Sequence, residues 1–406
     1  MRIALVHPYP WPEVRRGAER YLEDLSWYLA KSGHEVAVVT GTHGAPCTER
    51  GENGATIHRL AHLRPGPAWR LGVGEVETFG ARAVGRLVEL RPEVVHAFTP
   101  SGALAGRLAG RRTLYTVLGH PDREQLPTAR FARRLFTAAV RRASATAVLS
   151  KASARALNES VGRPAVVLPP GVRLERFAPA LDPRSGPPRL LFSASLADHR
   201  KRADLAVATL ALVLQRHPDA RLALSGEGDP AWVLGQAERA GKEVKAAIDV
   251  LGPGDPEDVP ERYRTASVTL LPSEHEAFGL ALVESLACGT PVVCAPSGGM
   301  PEVAGGVDAG TGAVAAASSA QSLAEAVEAA LSLAADRSTP KRCVRRARLW
   351  DWDEAVGPAH ERLYRQLSAR VPSSRLEGMT ISEGNTFDRS GGWPARPRPE
   401  AAGRKT

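Results

Sequence analysis

Cysteine is scarce in this sequence. Its four cysteines, Cys47, Cys288, Cys294 and Cys343, form no CxxC pair, and the 288/294 spacing suits no usual zinc knuckle. This excludes a disulfide framework and points to reduced core thiols, as in a cytosolic protein. No apolar run is long enough to span a bilayer. The opening MRIALVHPYP reaches Pro8 too soon to be a signal peptide. A cytoplasmic protein is expected, with peripheral contact at the inner membrane face left open. Aromatic residues make up only 5% of the chain, and no RNA- or DNA-binding module is visible, so the net charge of +9 is not assigned to nucleic acid. An anionic membrane surface or an anionic substrate fits that charge. No GxGxxG follows the first apolar run, so a classical dinucleotide site is not supported. No repeat is present beyond two similar α/β halves.

The sequence does have length and alternation. Its 406 residues exceed one ordinary core, so two domains are expected. Ile3 to Val6 reads as a buried strand, Ala18 to Lys31 as a helix with Leu22, Leu25, Tyr28 and Leu29 on one face, and Val36 to Thr40 as the next strand. Further buried strands fall at Glu93–Ala97, Thr113–Val117, Ala145–Leu149 and Val166–Leu168. Residues 178–188, rich in Pro, Asp, Arg and Gly, read as a linker. The alternation resumes with strands at Arg189–Ser193, Arg221–Ser225 and Asp249–Leu251. Residues 1–177 and 189–350 are thus two Rossmann-like domains. Trp350-Asp351-Trp352-Asp353 opens a terminal helix (351–367). The Asp-x-Asp has the form of a metal motif but precedes a helix, so helix-capping chemistry is expected instead. Residues 368–406 read as a disordered tail. The stretch from Thr128 to Arg142 is a basic amphipathic helix, with Phe131, Leu135, Phe136 and Val140 opposite five arginines. It fits an anionic lipid surface or an ordinary domain helix equally well.

The most informative stretch is SVTLLPSEHEAFGLALVESLACGTPVVCAPSGGMPE, residues 267–302. Strand Val268–Leu271, helix Phe278–Cys288 and strand Pro291–Ala295 make a βαβ unit, with Gly289 closing the helix. Glu276 precedes the helix and Glu284 lies about two turns in. Free N–H groups at the helix start attract phosphate, and carboxylates beside them suit hydroxyls. A ligand with both groups, such as a sugar nucleotide, is the expectation.

Glu276-x7-Glu284, the following Cys-Gly-Thr-Pro-Val-Val and Gly298-Gly299-Met300-Pro301-Glu302 together closely resemble the signature of the family 4 retaining glycosyltransferases. The opening Gly17-Ala18-Glu19 and Ser32-Gly33-His34-Glu35-Val36 resembles the same family, with Arg16 where a first glycine is usual. The resemblance implies the GT-B fold, in which two Rossmann-like domains face a cleft and the terminal helix crosses back to the first. It implies transfer of a hexosyl group from a UDP- or GDP-sugar to a hydroxyl acceptor, which several members hold in a membrane, with no metal or other cofactor. By the same resemblance Glu276 and His120 meet the donor sugar and Lys201 the diphosphate. Phe278, Gly279 and Leu280 offer backbone N–H groups, and Glu284 holds the ribose. Gly17 approaches the phosphates, and the turns at Gly226 and Gly252 line the base pocket. The family usually pairs that lysine with an arginine six residues earlier. Ser195 stands there, with Arg200 and Arg202 as flanking cations. Two other readings remain: a sugar-nucleotide-binding protein with a weakened donor site, and a sugar-nucleotide epimerase.

Overall fold

A computed structural model of the chain describes residues 1–62, 74–179 and 186–371, together with the backbone of 380–381 and 387–388. Short β-branched and aliphatic runs between glycine- or proline-marked loops become strands buried on both faces, as parallel sheets require. Ala4, Leu5 and Val6 in the first strand and Leu190 and Phe192 in the second half are fully buried.

The N-terminal sheet has the strand order 387–388, 380–381, 166–167, 145–148, 112–117, 94–97, 2–6, 35–42, 56–61, 47–50. Its central strands are parallel, with Ile3 beside Val36 on one side and Val94 on the other. The pair 47–50/56–61 is an antiparallel hairpin at the edge. The second sheet is parallel throughout, in the order 248–250, 221–225, 189–193, 268–271, 292–294, 312–314. In both sheets the order reverses direction beside the first strand, which opens a crevice at the strands' carboxyl ends.

Two expectations need adjusting. The helix expected from Phe278 runs from Leu280 to Ala287, because Gly279 takes φ +93° and cannot be a helical residue. The tail expected to be disordered contributes two short strands. Thr380 lies parallel to Val167, completing an edge that would otherwise expose unpaired backbone groups, and Phe387–Asp388 pairs in turn with Thr380–Ile381. The rest of that tail, and most of the linker, lie outside the described residues. Asp351 behaves as a cap: its Oδ1 accepts the Glu354 N–H at 2.7 Å.

The halves are joined behind the crevice. The Val172 N–H donates to the Trp350 carbonyl at 2.8 Å. The buried Trp352 ring stacks near Tyr28 and tilts against Tyr21 and His360. The helix Gly357–Ser368 then lies on the N-terminal domain. Its His360 Nε2 meets the Tyr21 hydroxyl and its Tyr364 hydroxyl meets His96 Nδ1, both at 2.7 Å, and His96 Nε2 is 2.7 Å from Thr116 Oγ1. His96, at the end of its strand, thus has a packing role.

Both histidines are fully buried, and burial lowers their pKa, for His360 to about 4. The unfolded chain therefore binds more protons than the folded one below about pH 6.5. Stability should be full above that value and fall with pH by up to about 1.4 kcal/mol per unit per histidine, ceasing for His360 near pH 4. Urea denaturation at pH 7 and pH 5 checks this; a His360→Gln variant should show a shallower loss.

Candidate donor-binding cleft

The loop between the strand Val268–Leu271 and the helix Leu280–Ala287 is built by unusual backbone. His275 takes φ +52° and Gly279 φ +93°. The Gly299 N–H donates to the Glu276 carbonyl at 2.9 Å, and the His275 N–H to Ser297 Oγ at 2.8 Å. Gly298 sits at φ +56°, and a Cβ there would lie inside van der Waals contact of the Glu276 carbonyl oxygen. This close approach explains the Gly-Gly pair: one loop clamps the backbone of the other. Gly298→Ala should therefore cost about 1–3 kcal/mol from the αL backbone alone. It should also displace Glu276, so transfer falls by more than the folded fraction does; thermal unfolding and activity measured side by side separate the two.

Held this way, Glu276 forms an ion pair with Lys201. Both side chains are partly exposed, at 19% and 24%. Lys201 ends a short 3-10 turn, His199–Lys201, capped by Asp198. The flanking cations are engaged elsewhere. Arg200 forks onto Asp198, and Arg202 binds Asp204 and Glu274. Ser195 serves as a turn residue, its Oγ donating to the Glu227 carbonyl at 3.3 Å and accepting from the Ala197 N–H at 3.3 Å. Lys201 is thus the cation of this loop that faces Glu276.

The other expected residues lie at helix starts and in glycine turns. Phe278 is buried edge-on against Trp350, with ring centroids 5.8 Å apart. The N–H groups of Phe278, Gly279 and Leu280 have no backbone acceptor outside the helix among the described residues, as the first turn of a helix requires. Gly226 donates its N–H to the Gly252 carbonyl at 3.1 Å, which joins the two glycine turns. A Cβ on Gly226 would overlap the Ala194 carbonyl. Gly17 begins the helix Gly17–Lys31, and a Cβ there would meet nothing within 4 Å. Its neighbour Arg16 pairs with the buried Glu19 and covers the Tyr9 ring.

His120 belongs to the N-terminal domain and reaches the same loop. Its Nδ1 is 3.1 Å from Ser153 Oγ, which donates to the Ala277 carbonyl at 3.4 Å. Burial lowers the His120 pKa, opposed by Asp122 and reinforced by His275, which favours the neutral imidazole. His275 Nδ1 lies 2.7 Å from Asp122 Oδ2.

Several contacts that sequence reasoning missed join the domains. Glu284 is buried between the Tyr263 hydroxyl, which donates to it at 2.9 Å, and Arg20, whose Nη1 is 2.8 Å away. Arg20 comes from the first helix, so this pair spans the crevice. Glu302, quoted above only as part of a motif, accepts the N–H groups of Lys151 and Ala152 at 3.0 and 2.7 Å and so caps a helix of the opposite domain. Arg15 reaches the Gly254 carbonyl at 3.2 Å. The long separations of these partners leave no local pattern to read. For Glu302, the proline before it marks a helix start, which does not reveal that the side chain faces another helix.

Comparison with known proteins gives the family and the fold. Residues 15–176 match the family described as Glycosyltransferase Family 4, and residues 175–350 the family described as Glycosyl transferases group 1. The glycogen synthase of Mycobacterium tuberculosis is 28% identical over an alignment covering 93% of this chain and 98% of that protein. Among solved structures, sucrose-phosphate synthase from Thermosynechococcus elongatus superposes with a TM-score of 0.77 at 22% identity, covering 90% of this chain and 99% of the other. The Anabaena protein HepE, in complex with UDP and glucose, superposes with a TM-score of 0.70 at 19% identity, covering 91% and 100%. The two matches together run from residue 15 to residue 350, and the chain belongs to the family 4, group 1 glycosyltransferases of GT-B fold.

Proposed function

We propose that the chain is a retaining glycosyltransferase that moves a hexosyl group from a UDP- or GDP-sugar to a hydroxyl acceptor. The observation that carries this reading is the Glu276–Lys201 pair at the mouth of the helix Leu280–Ala287, with His120 brought against the same loop from the other domain. A donor entering there exchanges one pairing for two. Lys201 turns to the diphosphate, and Glu276 accepts from sugar hydroxyls. The free N–H groups at the helix start face the phosphate or the sugar.

In the transfer step the bond from the anomeric carbon to the diphosphate oxygen breaks, and a bond to the acceptor oxygen forms on the same face. The sugar passes through an oxocarbenium-like state. The acceptor's proton goes to the departing phosphate oxygen. Charge grows on the diphosphate as it leaves, and a fixed cation lowers that barrier. Lys201 fills this role without a metal ion at the diphosphate. Neutral His120 donates a hydrogen bond to the sugar rather than a full charge. Glu284 holds the ribose, with Arg20 of the other domain beside it.

The acceptor reading is broader: a lipid, a glycan end or a small metabolite, held by the N-terminal domain. The helix Arg130–Arg142 supports a membrane-held acceptor. Its Phe136 and Val140 are buried in the domain, while Phe131 is 42% exposed beside exposed arginines. No described helix is long and apolar enough to cross a membrane, so contact with lipid would be peripheral. Ser195, in the place of a usual arginine, favours a second reading, a binding protein with a weakened donor grip.

A mass-spectrometric screen of UDP-, GDP- and dTDP-sugars against pooled hydroxyl acceptors tests the proposal. Release of a nucleoside diphosphate with a glycosylated product supports it. Donor binding without turnover across the panel would favour the binding protein.

A further inference from the structure

At the outer edge of the N-terminal sheet, three ligand-type side chains with no assigned part in donor binding converge. His43 follows the strand Glu35–Thr42, His62 follows the strand Thr56–Ala61, and Glu75 opens the helix Glu75–Leu90. One ligand atom from each lies within 4.8 Å of the others. The His43 and His62 rings are 4.8 Å apart, and His43 Nδ1 is 3.9 Å from Glu75 Oε1.

His62 is set up in an unusual way. Its Nδ1 is buried with no hydrogen-bond partner among the described residues. The ring engages the Pro8 carbonyl, and because Nδ1 has no partner, this contact falls to Nε2. A ring N–H bonded to a backbone carbonyl fixes the tautomer and leaves the other nitrogen's lone pair free, which is the arrangement a metal-ligating histidine needs. The seat for the ring exists because residue 41 is glycine: a Cβ there would overlap the His62 imidazole. Glu75 is steadied by a hydrogen bond with the Tyr9 side chain.

We infer that His43, His62 and Glu75 form a binding site for a divalent transition metal of the zinc class. Two imidazoles and a carboxylate are a usual zinc donor set, and three protein ligands leave a position open for an oxygen ligand. Ligands about 2 Å from a tetrahedral ion lie about 3.3 Å from one another. The exposed His43 must therefore swing inward on loading, and its 77% side-chain exposure leaves it free to do so. The site lies at the carboxyl ends of its strands, next to the loop carrying Tyr9, the end of the sheet at which ligands of such domains collect.

The test uses the full chain, stripped with EDTA and desalted, with no donor sugar present. Zinc chloride is titrated by calorimetry, and cobalt chloride is followed by visible absorption. The expected result is one zinc per chain and cobalt bands of a four- or five-coordinate site. His43→Ala and Glu75→Gln should each weaken zinc by about tenfold or more, since even losing an outer-shell partner costs about 10- to 100-fold. His43 is exposed, so its variant should keep the wild-type melting temperature in the absence of metal. Absence of zinc binding would overturn the inference. So would equal binding by wild type and the His43→Ala/Glu75→Gln double variant, which would mark adventitious surface binding. Neither outcome touches the donor cleft, whose test is turnover.

Discussion

Glu276→Gln should lower transfer turnover by about 100- to 1,000-fold, comparable to losing one preorganised group that meets the reacting centre. The loop that carries the side chain is held by backbone bonds, from Gly299 N–H to the Glu276 carbonyl and from His275 N–H to Ser297 Oγ. Those contacts do not involve the carboxylate. The lost interaction is one partly exposed ion pair with Lys201, and such pairs contribute roughly 0–1 kcal/mol. The variant should therefore fold and unfold much as the wild type does while failing at chemistry. Glutamine keeps the size of the side chain and one acceptor oxygen, but it loses the charge that sugar hydroxyls and Lys201 meet. Steady-state kinetics beside a thermal melt separate the two effects. A variant with turnover within a few-fold of wild type would remove Glu276 from the mechanism.

Lys201→Met should show a loss of similar size with a different kinetic signature. Because the arginines at 200 and 202 are committed to acids and residue 195 is serine, no neighbouring side chain in that loop is placed to replace the ammonium. The charge on the diphosphate rises in the transition state, so kcat should fall by about 100-fold or more. A charge-assisted hydrogen bond contributes about 1.5–3 kcal/mol, so nucleoside diphosphate affinity should also fall, by about tenfold or more. Methionine preserves the apolar stem, so packing losses stay small. Undiminished product formation with Lys201→Met would mean that the diphosphate is gripped elsewhere. In the double variant with Glu276→Gln the two losses should fall short of adding, because each single change already disrupts the shared pair.

Much of the fold was legible because parallel strands buried on both faces leave short apolar runs with clear ends. Arg189–Ser193, Arg221–Ser225 and Val268–Leu271 are strands over the residues the pattern marks. The pattern failed where backbone conformation overrides side-chain character. Phe278 and Gly279 are apolar or small and extend a helical run, yet Gly279 adopts a positive φ and delays the helix to Leu280. The polar hairpin 47–50/56–61 has an exposed first strand with no apolar alternation to announce it.

In the cleft, the motif residues were visible because their spacing is local. Glu276 and Glu284 sit on one loop and helix, and Gly298 and Gly299 lie just beyond. What spacing could not show is the other half of each contact. Arg20 is 264 positions before Glu284 and reads as an ordinary helix-surface arginine. Glu302 meets a helix start about 150 residues earlier. These partners are set by how two domains face one another, which is encoded in packing and not in any window of sequence. The cluster at His43, His62 and Glu75 was invisible for the same reason, since its members follow three separate elements.

The donor cleft is tested most directly by calorimetric titration of the full chain with UDP and with GDP, repeated on Lys201→Met. The account predicts saturable one-to-one binding of at least one of them, weakened about tenfold or more in the variant. Failure of both to bind, or equal affinity in wild type and variant, would contradict it.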